Sequence, residues 1–183
     1  MKDGKLEYFH NFYSENLFDI LKEETSWRND RIKIFGKEVM QPRETAYYGN
    51  TEAVYTYSGL TMKPLEWTPT LLEIKSRVEV HTHQKFNSIL LNHYRTGEDY
   101  MGWHADNEKE LGINPYIASL SFGGVRKFQL KHRIDKLLKI ELILESGSLV
   151  VMSGEIQKFW LHRIAPTKRP VPPRINLTFR LIK

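Results

Sequence analysis

The C-terminal end of the chain carries the stretch Arg174-Ile175-Asn176-Leu177-Thr178-Phe179-Arg180-Leu181-Ile182. Its polar and apolar residues alternate strictly, which predicts a β-strand whose apolar face packs against a core. The polar face carries both arginines together with Asn176 and Thr178. Because a guanidinium group binds a carboxylate through two parallel hydrogen bonds, this face suits an anion with two carboxylates. A sheet face covered only by solvent fits the same pattern.

Short strands of similar character precede this one, and glycine or proline separates several of them. The predicted strands are 86–94, 101–106, 116–122, 126–132, 139–144, 148–152, 159–164 and 174–182. Short strands in this number, after a helical region, predict a mostly β fold with some α structure and a jelly-roll core.

Two helices are predicted before residue 86. Ser14 is predicted to cap the first helix, and Thr68 the second, with Pro69 at its first helical position. Their buried faces are predicted to be apolar and to consist of Leu17, Phe18 and Leu21 in the first helix and of Leu71, Leu72, Ile74 and Val78 in the second. Between the helices, the segment from Arg31 to Val39 is predicted to form a hairpin that turns near residues 35–37.

Composition limits the class of protein. The chain has 183 residues, enough for one domain with a substantial core, and shows no internal repeat or low-complexity linker. No apolar run reaches the roughly 18 residues of a membrane span, and residues 1–5 lack the apolar stretch of a signal peptide. The absence of cysteine excludes disulfides and thiolate metal sites. We expect an intracellular protein, cytoplasmic in a bacterium and nuclear in a eukaryote.

The net charge of +5 is distributed unevenly along the chain. Residues 125–183 contain 13 Lys or Arg and 4 Asp or Glu, a balance of +9, whereas residues 1–124 contain 14 and 18, a balance of −4. A basic region of this kind is typical of a surface that binds phosphates. Solvated charges at strand edges, and arginines that hold a bound anion, explain part of the same excess.

The sequence His104-Ala105-Asp106 contains two candidate metal ligands. On a strand, residues i and i+2 point to the same face, so His104 and Asp106 can bind one ion together. His162, 56 residues after Asp106, is the candidate for a third ligand. Two imidazoles and one carboxylate form the facial triad that binds Fe(II) and leaves positions open, although Zn(II) binds the same ligands. A His-x-Asp pair taken alone can also be two solvated polar residues.

Together, these motifs resemble the AlkB family of Fe(II)/2-oxoglutarate-dependent nucleic-acid demethylases. The string Arg174-x-Asn176-Leu177-Thr178-Phe179-Arg180, combined with the three candidate ligands, is the most specific part of the resemblance. The resemblance covers nearly the whole chain from about residue 30 onward and is closest to the branch that repairs DNA bases. It includes Ile34-Phe35-Gly36-Lys37, Pro42-Arg43, Tyr55-Thr56-Tyr57-Ser58-Gly59-Leu60, Phe86-Asn87-Ser88-Ile89-Leu90-Leu91-Asn92-His93-Tyr94 and Ile117-Ala118-Ser119-Leu120-Ser121-Phe122-Gly123.

The resemblance implies a single dioxygenase domain over residues 1–183. Residues 86–183 would form its catalytic core, a double-stranded β-helix or jelly roll. Residues 1–85 would form an N-terminal extension with a β-hairpin lid that recognises the nucleotide. The resemblance also implies a monomer.

The same resemblance implies a set of ligands for the site. Fe(II) would be held by His104, Asp106 and His162, and 2-oxoglutarate and O2 would be the cosubstrates. The residues implied for 2-oxoglutarate are Asn92, Tyr94, Arg174, Thr178 and Arg180. Among them, Arg174 would hold the distal carboxylate, while Arg180 would lie nearer the metal-binding end.

Alkylated DNA is the partner that the resemblance implies, with RNA as an alternative. Phe35 would fill the space left by an extruded base, and Tyr55 and Tyr57 would line the base pocket. Asn107 stands where the closest branch has an acidic residue, so a preference for a cationic base is left open. The residues implied for substrate contact are Phe35, Gly36, Lys37, Arg43, Tyr55, Thr56, Tyr57 and Asn107, with Lys37 and Arg43 at the flanking backbone.

The implied reaction is oxidative demethylation of 1-methyladenine and 3-methylcytosine in DNA. It would couple decarboxylation of 2-oxoglutarate to succinate and CO2 with release of formaldehyde from the N-methyl group. Two other hypotheses are an oxygenase that acts on a non-nucleic-acid substrate and a non-catalytic module that binds nucleic acid. The basic C-terminal third argues against the first, and the complete set of metal ligands argues against the second.

Overall fold

The computed structural model describes residues 1–34, 37–57 and 60–183, and the side chains of residues 32–38 and 55–60 lie outside the description. The helices of the described part are α1 (Phe18–Glu24), α2 (Pro69–Thr82) and α3 (Ile156–Phe159), with a 3-10 helix at Lys109–Leu111. Its strands, in chain order, are β1 (Lys5–Phe9), β2 (Arg31–Ile34), β3 (Lys37–Met40), β4 (Glu44–Gly49), β5 (Tyr55–Tyr57), β6 (Leu60–Met62), β7 (Ser88–Tyr94), β8 (Met101–His104), β9 (Ile117–Gly123), β10 (Arg126–His132), β11 (Lys139–Leu144), β12 (Leu149–Ser153), β13 (Trp160–Ile164) and β14 (Arg174–Arg180).

Two antiparallel sheets form the body of the fold. The larger sheet has the order β1-β12-β9-β14-β7-β4, and the smaller has the order β11-β10-β13-β8. β14 lies inside the larger sheet, where it pairs with β7 on one side and with β9 on the other. These two sheets confirm the predicted jelly roll, and each of the eight predicted strand regions contains a strand.

The larger sheet is covered on both faces, since every residue of β7 and β14 is buried. One face packs against α1 and α2 through a cluster that includes Phe18, Ile74 and Leu177. The other face packs against the smaller sheet through a second cluster, which includes Val150 and Trp160. The polar side chains of β14 therefore lie between the two sheets rather than in solvent, so a solvated sheet face is excluded.

The first 85 residues also contribute to the larger sheet. β1 pairs with β12 and β4 pairs with β7, so these two strands form its edges. Neither strand was predicted: ETAYYG has no regular alternation of apolar and polar residues, and in KLEYF the alternation lasts only from Lys5 to Tyr8. The predicted division between the N-terminal extension (1–85) and the catalytic core (86–183) therefore does not coincide with a break in the sheet.

The helix predictions were right in place but wrong in two details. Thr68 caps α2, where its hydroxyl accepts a hydrogen bond from the Leu71 amide at 3.2 Å. Ser14 does not cap α1, which begins at Phe18, and the Asn16 side chain accepts from the Phe18 amide instead. Leu72 was predicted to be buried but is exposed, because it lies on the solvent side of α2.

The predicted hairpin corresponds to β2 and β3, which pair from Arg31 with Met40 to Ile34 with Lys37. A second hairpin joins β5 to β6. The tips of both hairpins, at Phe35-Gly36 and at residues 58–59, lie outside the described residues. Among the helices of the described part, none has the length and apolar character needed to cross a membrane.

Candidate metal and dicarboxylate site

The pairing of β8 with β13 brings the two candidate histidines together. His104 and His162 are direct cross-strand partners, and their ring centroids lie 4.2 Å apart. One ligand atom from each of His104, Asp106 and His162 can be chosen so that all three lie within 4.8 Å of one another. This spacing allows the three side chains to bind one ion, as predicted.

Asp106 reaches the site in a way that differs from the prediction. β8 ends at His104, so Asp106 lies beyond the strand rather than two residues along it. Its backbone amide donates to the Gln157 side-chain oxygen at 3.0 Å, and its carboxylate accepts from Arg180 at 2.8 Å. Gln157 lies on α3 and is 2% exposed. No sequence pattern marked Gln157, because a single amide in a four-residue helix has no distinctive signature.

The surroundings keep all three side chains unprotonated at neutral pH. Burial would raise the pKa of Asp106, but Arg180 and then the two histidines lower it to about 2. Burial, followed by repulsion from His104, lowers the pKa of His162 to about 3. Burial also lowers the pKa of His104, although Asp106 partly opposes this effect. Neutral imidazoles and an ionised carboxylate are the forms that bind metals.

The tautomer of His104 also favours metal binding. Its Nδ1–H group donates to the Gly102 carbonyl oxygen, 2.9 Å away, which leaves Nε2 free of that proton. This donor set of two nitrogens and one oxygen suits Fe(II) and leaves room for further ligands. The residues therefore fit Fe(II), the ion that the resemblance implies.

Arg174 is a buried cation without a matching anion. It is 1% exposed, and its Nη2 donates to the Ser121 hydroxyl at 2.9 Å. Its Nε and Nη1 have no hydrogen-bond partner among the described residues. Burial lowers the pKa of Arg174 to about 10, so the side chain stays charged at neutral pH. Since a buried, unpaired charge is costly, a carboxylate ligand is the group that this side chain lacks.

One cavity between the sheets connects the metal ligands with Arg174. The predicted residues Asn92, Tyr94, Thr178 and Arg180 all line it. The Thr178 hydroxyl donates to the Asn176 side-chain oxygen at 3.0 Å, and Arg180 is paired with Asp106. Arg174 is therefore the cation that remains for a distal carboxylate. Six residues along a strand place the Cα atoms of Arg174 and Arg180 some 20 Å apart, so one small diacid is not expected to bind both arginines.

Three polar residues in or beside this cavity were not predicted to be site residues: Asn176, Ser119 and Ser121. Asn176, which donates to the Ser119 hydroxyl at 2.7 Å, lies on the same polar face of β14 as Arg174. Ser119 and Ser121 are two residues apart on β9 and face the same interior. Their i, i+2 spacing inside a strand of apolar residues was the signal that could have identified them.

Arg43 was predicted to contact the backbone that flanks a substrate base, and the structure contradicts this prediction. The residue is 2% exposed, and its Nε donates to the Asn92 side-chain oxygen at 2.6 Å. It precedes β4, which pairs with β7, and this pairing directs it inward beside Asn92. Arg43 therefore holds a cavity residue in place and is not available to a phosphate at the surface.

The structure describes the other predicted substrate-binding residues to different extents. Asn107 is exposed and directly follows Asp106 in the chain. Phe35 and Gly36 lie outside the described residues, as do the side chains of Lys37, Tyr55, Thr56 and Tyr57. Only the strand positions of these last four are described, so their proposed contacts stay predictions.

Comparison with known proteins gives a consistent result. The profile of the 2OG-Fe(II) oxygenase superfamily matches residues 5–180. The DNA oxidative demethylase ALKBH2 of Bos taurus is 37% identical over 179 residues, which cover 92% of this chain and 64% of that protein. The human protein of the same name is 36% identical, with 92% and 69% covered. This chain thus spans about two thirds of the length of these relatives.

A second group of relatives carries a different name. The alpha-ketoglutarate-dependent dioxygenase alkB homolog 3 of Mus musculus is 42% identical over 151 residues, which cover 78% of this chain and 52% of that protein. The solved structure of OsALKBH1 superposes with a TM-score of 0.63 at 16% identity and covers 97% of both chains. At this identity, the superposition shows a shared fold.

Proposed function

Because the chain belongs to the AlkB family within the 2OG-Fe(II) oxygenase superfamily, we propose that it removes N-methyl groups from DNA bases by oxidation. One observation carries the proposal: the metal ligands and Arg174 line the same buried cavity. A diacid held there by Arg174 would place its 2-oxo acid end toward the metal ligands. The resemblance names 1-methyladenine and 3-methylcytosine as the lesions.

The roles of the residues follow from their contacts. His104, Asp106 and His162 would hold Fe(II), which with O2 supplies the oxidising chemistry when bound. Arg174 would bind the distal carboxylate of 2-oxoglutarate, with Asn92, Tyr94 and Thr178 along the cavity wall. One oxygen atom of O2 would enter succinate as CO2 leaves. The other would convert N–CH3 to N–CH2OH, which releases formaldehyde and restores N–H.

DNA is supported as the substrate by the name of the ALKBH2 relatives and by the exposed cations of the C-terminal third. The hairpins β2–β3 and β5–β6 would form the lid that receives the base. Asn107, exposed beside the metal site, would face the substrate. We place the activity in a single domain over residues 1–183 that acts as a monomer on intracellular DNA, in the cytoplasm of a bacterium or the nucleus of a eukaryote.

The test is formaldehyde release from matched DNA and RNA oligonucleotides that contain 1-methyladenine or 3-methylcytosine, with Fe(II) and 2-oxoglutarate. We expect turnover on the DNA and none with His162→Ala or Asp106→Ala, since each variant removes a metal ligand. Turnover on the RNA alone would transfer the proposal to RNA. Turnover of 2-oxoglutarate without formaldehyde from either polymer would contradict demethylation of nucleic acid.

A further inference from the structure

Arg126, the first residue of β10, is a second buried arginine close to the cavity. It is 4% exposed, and within the described part of the chain its guanidinium donates to backbone carbonyl oxygens alone. The acceptors belong to Thr96 at 3.3 Å, Gly97 at 3.4 Å, Asp99 at 2.9 Å and Ala165 at 2.7 Å. These bonds fix the side chain, but carbonyl groups carry no charge, so the positive charge of Arg126 is not neutralised by its hydrogen-bond acceptors.

No carboxylate among the described residues forms an ion pair with Arg126. Asp99, whose backbone carbonyl accepts from Arg126, also attracts it through its carboxylate. That carboxylate is bound by Arg95 through both oxygens, at 2.8 Å and 3.0 Å, and makes no hydrogen bond to Arg126. Arg174 likewise has no ion pair within the described part of the chain. Within the described residues, the fold therefore holds two buried guanidinium groups in one region, and neither forms an ion pair.

Tyr94 connects these two charges. The Cζ atom of Arg126 lies 5.6 Å from the centroid of the Tyr94 ring, and that of Arg174 lies 5.2 Å from the same centroid. Tyr94 and Arg174 line the cavity, whereas Arg126 does not. Burial is the main cause of the lowered pKa of Arg174, and repulsion from Arg126 adds to it. A carboxylate at Arg174 would relieve this repulsion.

We propose that Arg126 is a positioning residue that makes the cavity selective for 2-oxo acids with a second carboxylate. Its fixed charge, behind Tyr94, adds to the attraction that Arg174 exerts on the distal carboxylate. Arg126 does not line the cavity, so it would act on the cosubstrate through its charge and not by contact. The inference rests on the use of 2-oxoglutarate in the proposed function, but it concerns selection of the diacid rather than the nucleic acid.

A purely structural role for Arg126 makes a different prediction. Its four carbonyl partners belong to the segment after β7 and the segment after β13, so the side chain also joins two loops. Loss of that connection alone would weaken the binding of every 2-oxo acid equally. Loss of the charge would weaken the diacid and leave the monoacid unaffected, because only the diacid has a carboxylate near Arg174.

The experiment compares the binding of 2-oxoglutarate with that of 2-oxovalerate, which has the same 2-oxo acid end but no second carboxylate. Calorimetric titration of the Mn(II)-loaded protein measures both without turnover. We expect Arg126→Met to weaken 2-oxoglutarate binding about tenfold and to change 2-oxovalerate binding by less than about twofold. Arg126→Lys, which keeps the charge but not the planar fork, should retain most of the diacid preference.

The matched control is Lys127→Met, which removes one charge from the adjacent residue. Lys127 is exposed and pairs with Glu141 at 2.7 Å, so this variant should bind both compounds like the wild type. Equal weakening of the two compounds by Arg126→Met, or an unchanged preference for the diacid, would overturn the inference. If the wild type binds 2-oxoglutarate but demethylates no oligonucleotide, the proposed substrate fails while this inference stands.

Discussion

Asp106 shows how single residues prepare the metal site. Arg180 holds its carboxylate at 2.8 Å and Gln157 holds its backbone amide at 3.0 Å. Both partners are buried, so water competes only weakly for these hydrogen bonds. The ligand is thus oriented before an ion arrives, and this preorganisation is what outer contacts provide in metal sites.

Replacing Gln157 tests this preorganisation. In Gln157→Ala, the Asp106 amide loses its acceptor, and the segment after β8 is no longer fixed. We expect metal affinity to fall about tenfold or more, in the range typical for lost outer contacts. Anaerobic titration with Fe(II) or Co(II) measures it, with Lys158→Ala on the exposed side of α3 as the control. Unchanged affinity in Gln157→Ala would show that Arg180 alone orients the carboxylate.

The buried histidines make the metal-free protein sensitive to acid. The pKa of His162 is about 3 in the folded state and near 6.5 in the unfolded chain. Between these values only the unfolded state binds the proton, so the free energy of unfolding falls as pH falls below 6.5. His104, whose pKa is also lowered, acts in the same direction. Each group contributes a slope on the order of 1 kcal/mol per pH unit at most.

Urea denaturation of the metal-free protein between pH 4.5 and 7.5 measures this slope. We expect His162→Asn to flatten it, because the variant has no imidazole to protonate at this position. Saturating Zn(II) should also stabilise the folded state most at neutral pH, because binding requires neutral imidazoles. A slope that is the same in the wild type and in His162→Asn would contradict the low pKa of His162.

At the scale of elements, β14 shows what sequence could predict. Its alternation predicted the strand and a polar face suited to an anion or to solvent, because strand periodicity is a local property. The choice of Arg174 as the anion site came from the family resemblance. The pairing of His104 with His162 is not local: it depends on the register of β13 against β8. The inward position of Arg43 likewise depends on the pairing of β4 with β7, and no alternation in the sequence marked β4. The family resemblance assigned His162 as a metal ligand, and only the structure showed that Arg43 lies inside the fold.

Removal of Arg174 tests the anion site of β14. Two buried nitrogens of this side chain await acceptors, and a hydrogen bond to a charged group is worth about 1.5–3 kcal/mol. We therefore expect Arg174→Ala to raise the KM for 2-oxoglutarate at least about tenfold. Oligonucleotide affinity, measured by fluorescence anisotropy, should change little. Normal dependence on 2-oxoglutarate with weakened DNA binding would make Arg174 a phosphate contact instead.

The hairpin of β2 and β3 carries a prediction of its own. A base inside a duplex must be extruded before it can reach the cavity, which costs a few kcal/mol. If Phe35 fills the vacated space, Phe35→Ala should slow repair of a methylated duplex but spare the same strand alone. Initial rates on the two substrates decide the matter. Equal loss on both would indicate a structural role, and no loss on either would remove Phe35 from the mechanism.

The charge of the whole molecule divides between its interior and its surface. Of the 13 cations in residues 125–183, Arg126, Arg174 and Arg180 are buried between or beside the sheets. The sequence set Arg174 and Arg180 apart as arginines for a bound anion, but nothing marked Arg126, because its burial depends on how the sheets pack. Lys168 and Arg169 are exposed in the loop between β13 and β14. The Thr167 amide of that loop donates to Gly97 at 2.8 Å, so the loop lies beside the segment that follows β7.

The salt dependence of DNA binding tests whether this loop contacts phosphates. Each duplex phosphate that the protein neutralises contributes about −0.9 to the slope of log K against log salt concentration. The double variant Lys168→Ala/Arg169→Ala should therefore make the slope shallower by about 1.8, if each cation meets one phosphate. A matched double variant, Lys22→Ala/Lys85→Ala, removes two exposed cations from the helical side and should leave the slope unchanged. Equal slopes in the two double variants would show that the loop is only a solvated connection, and that other cations steer the protein onto DNA.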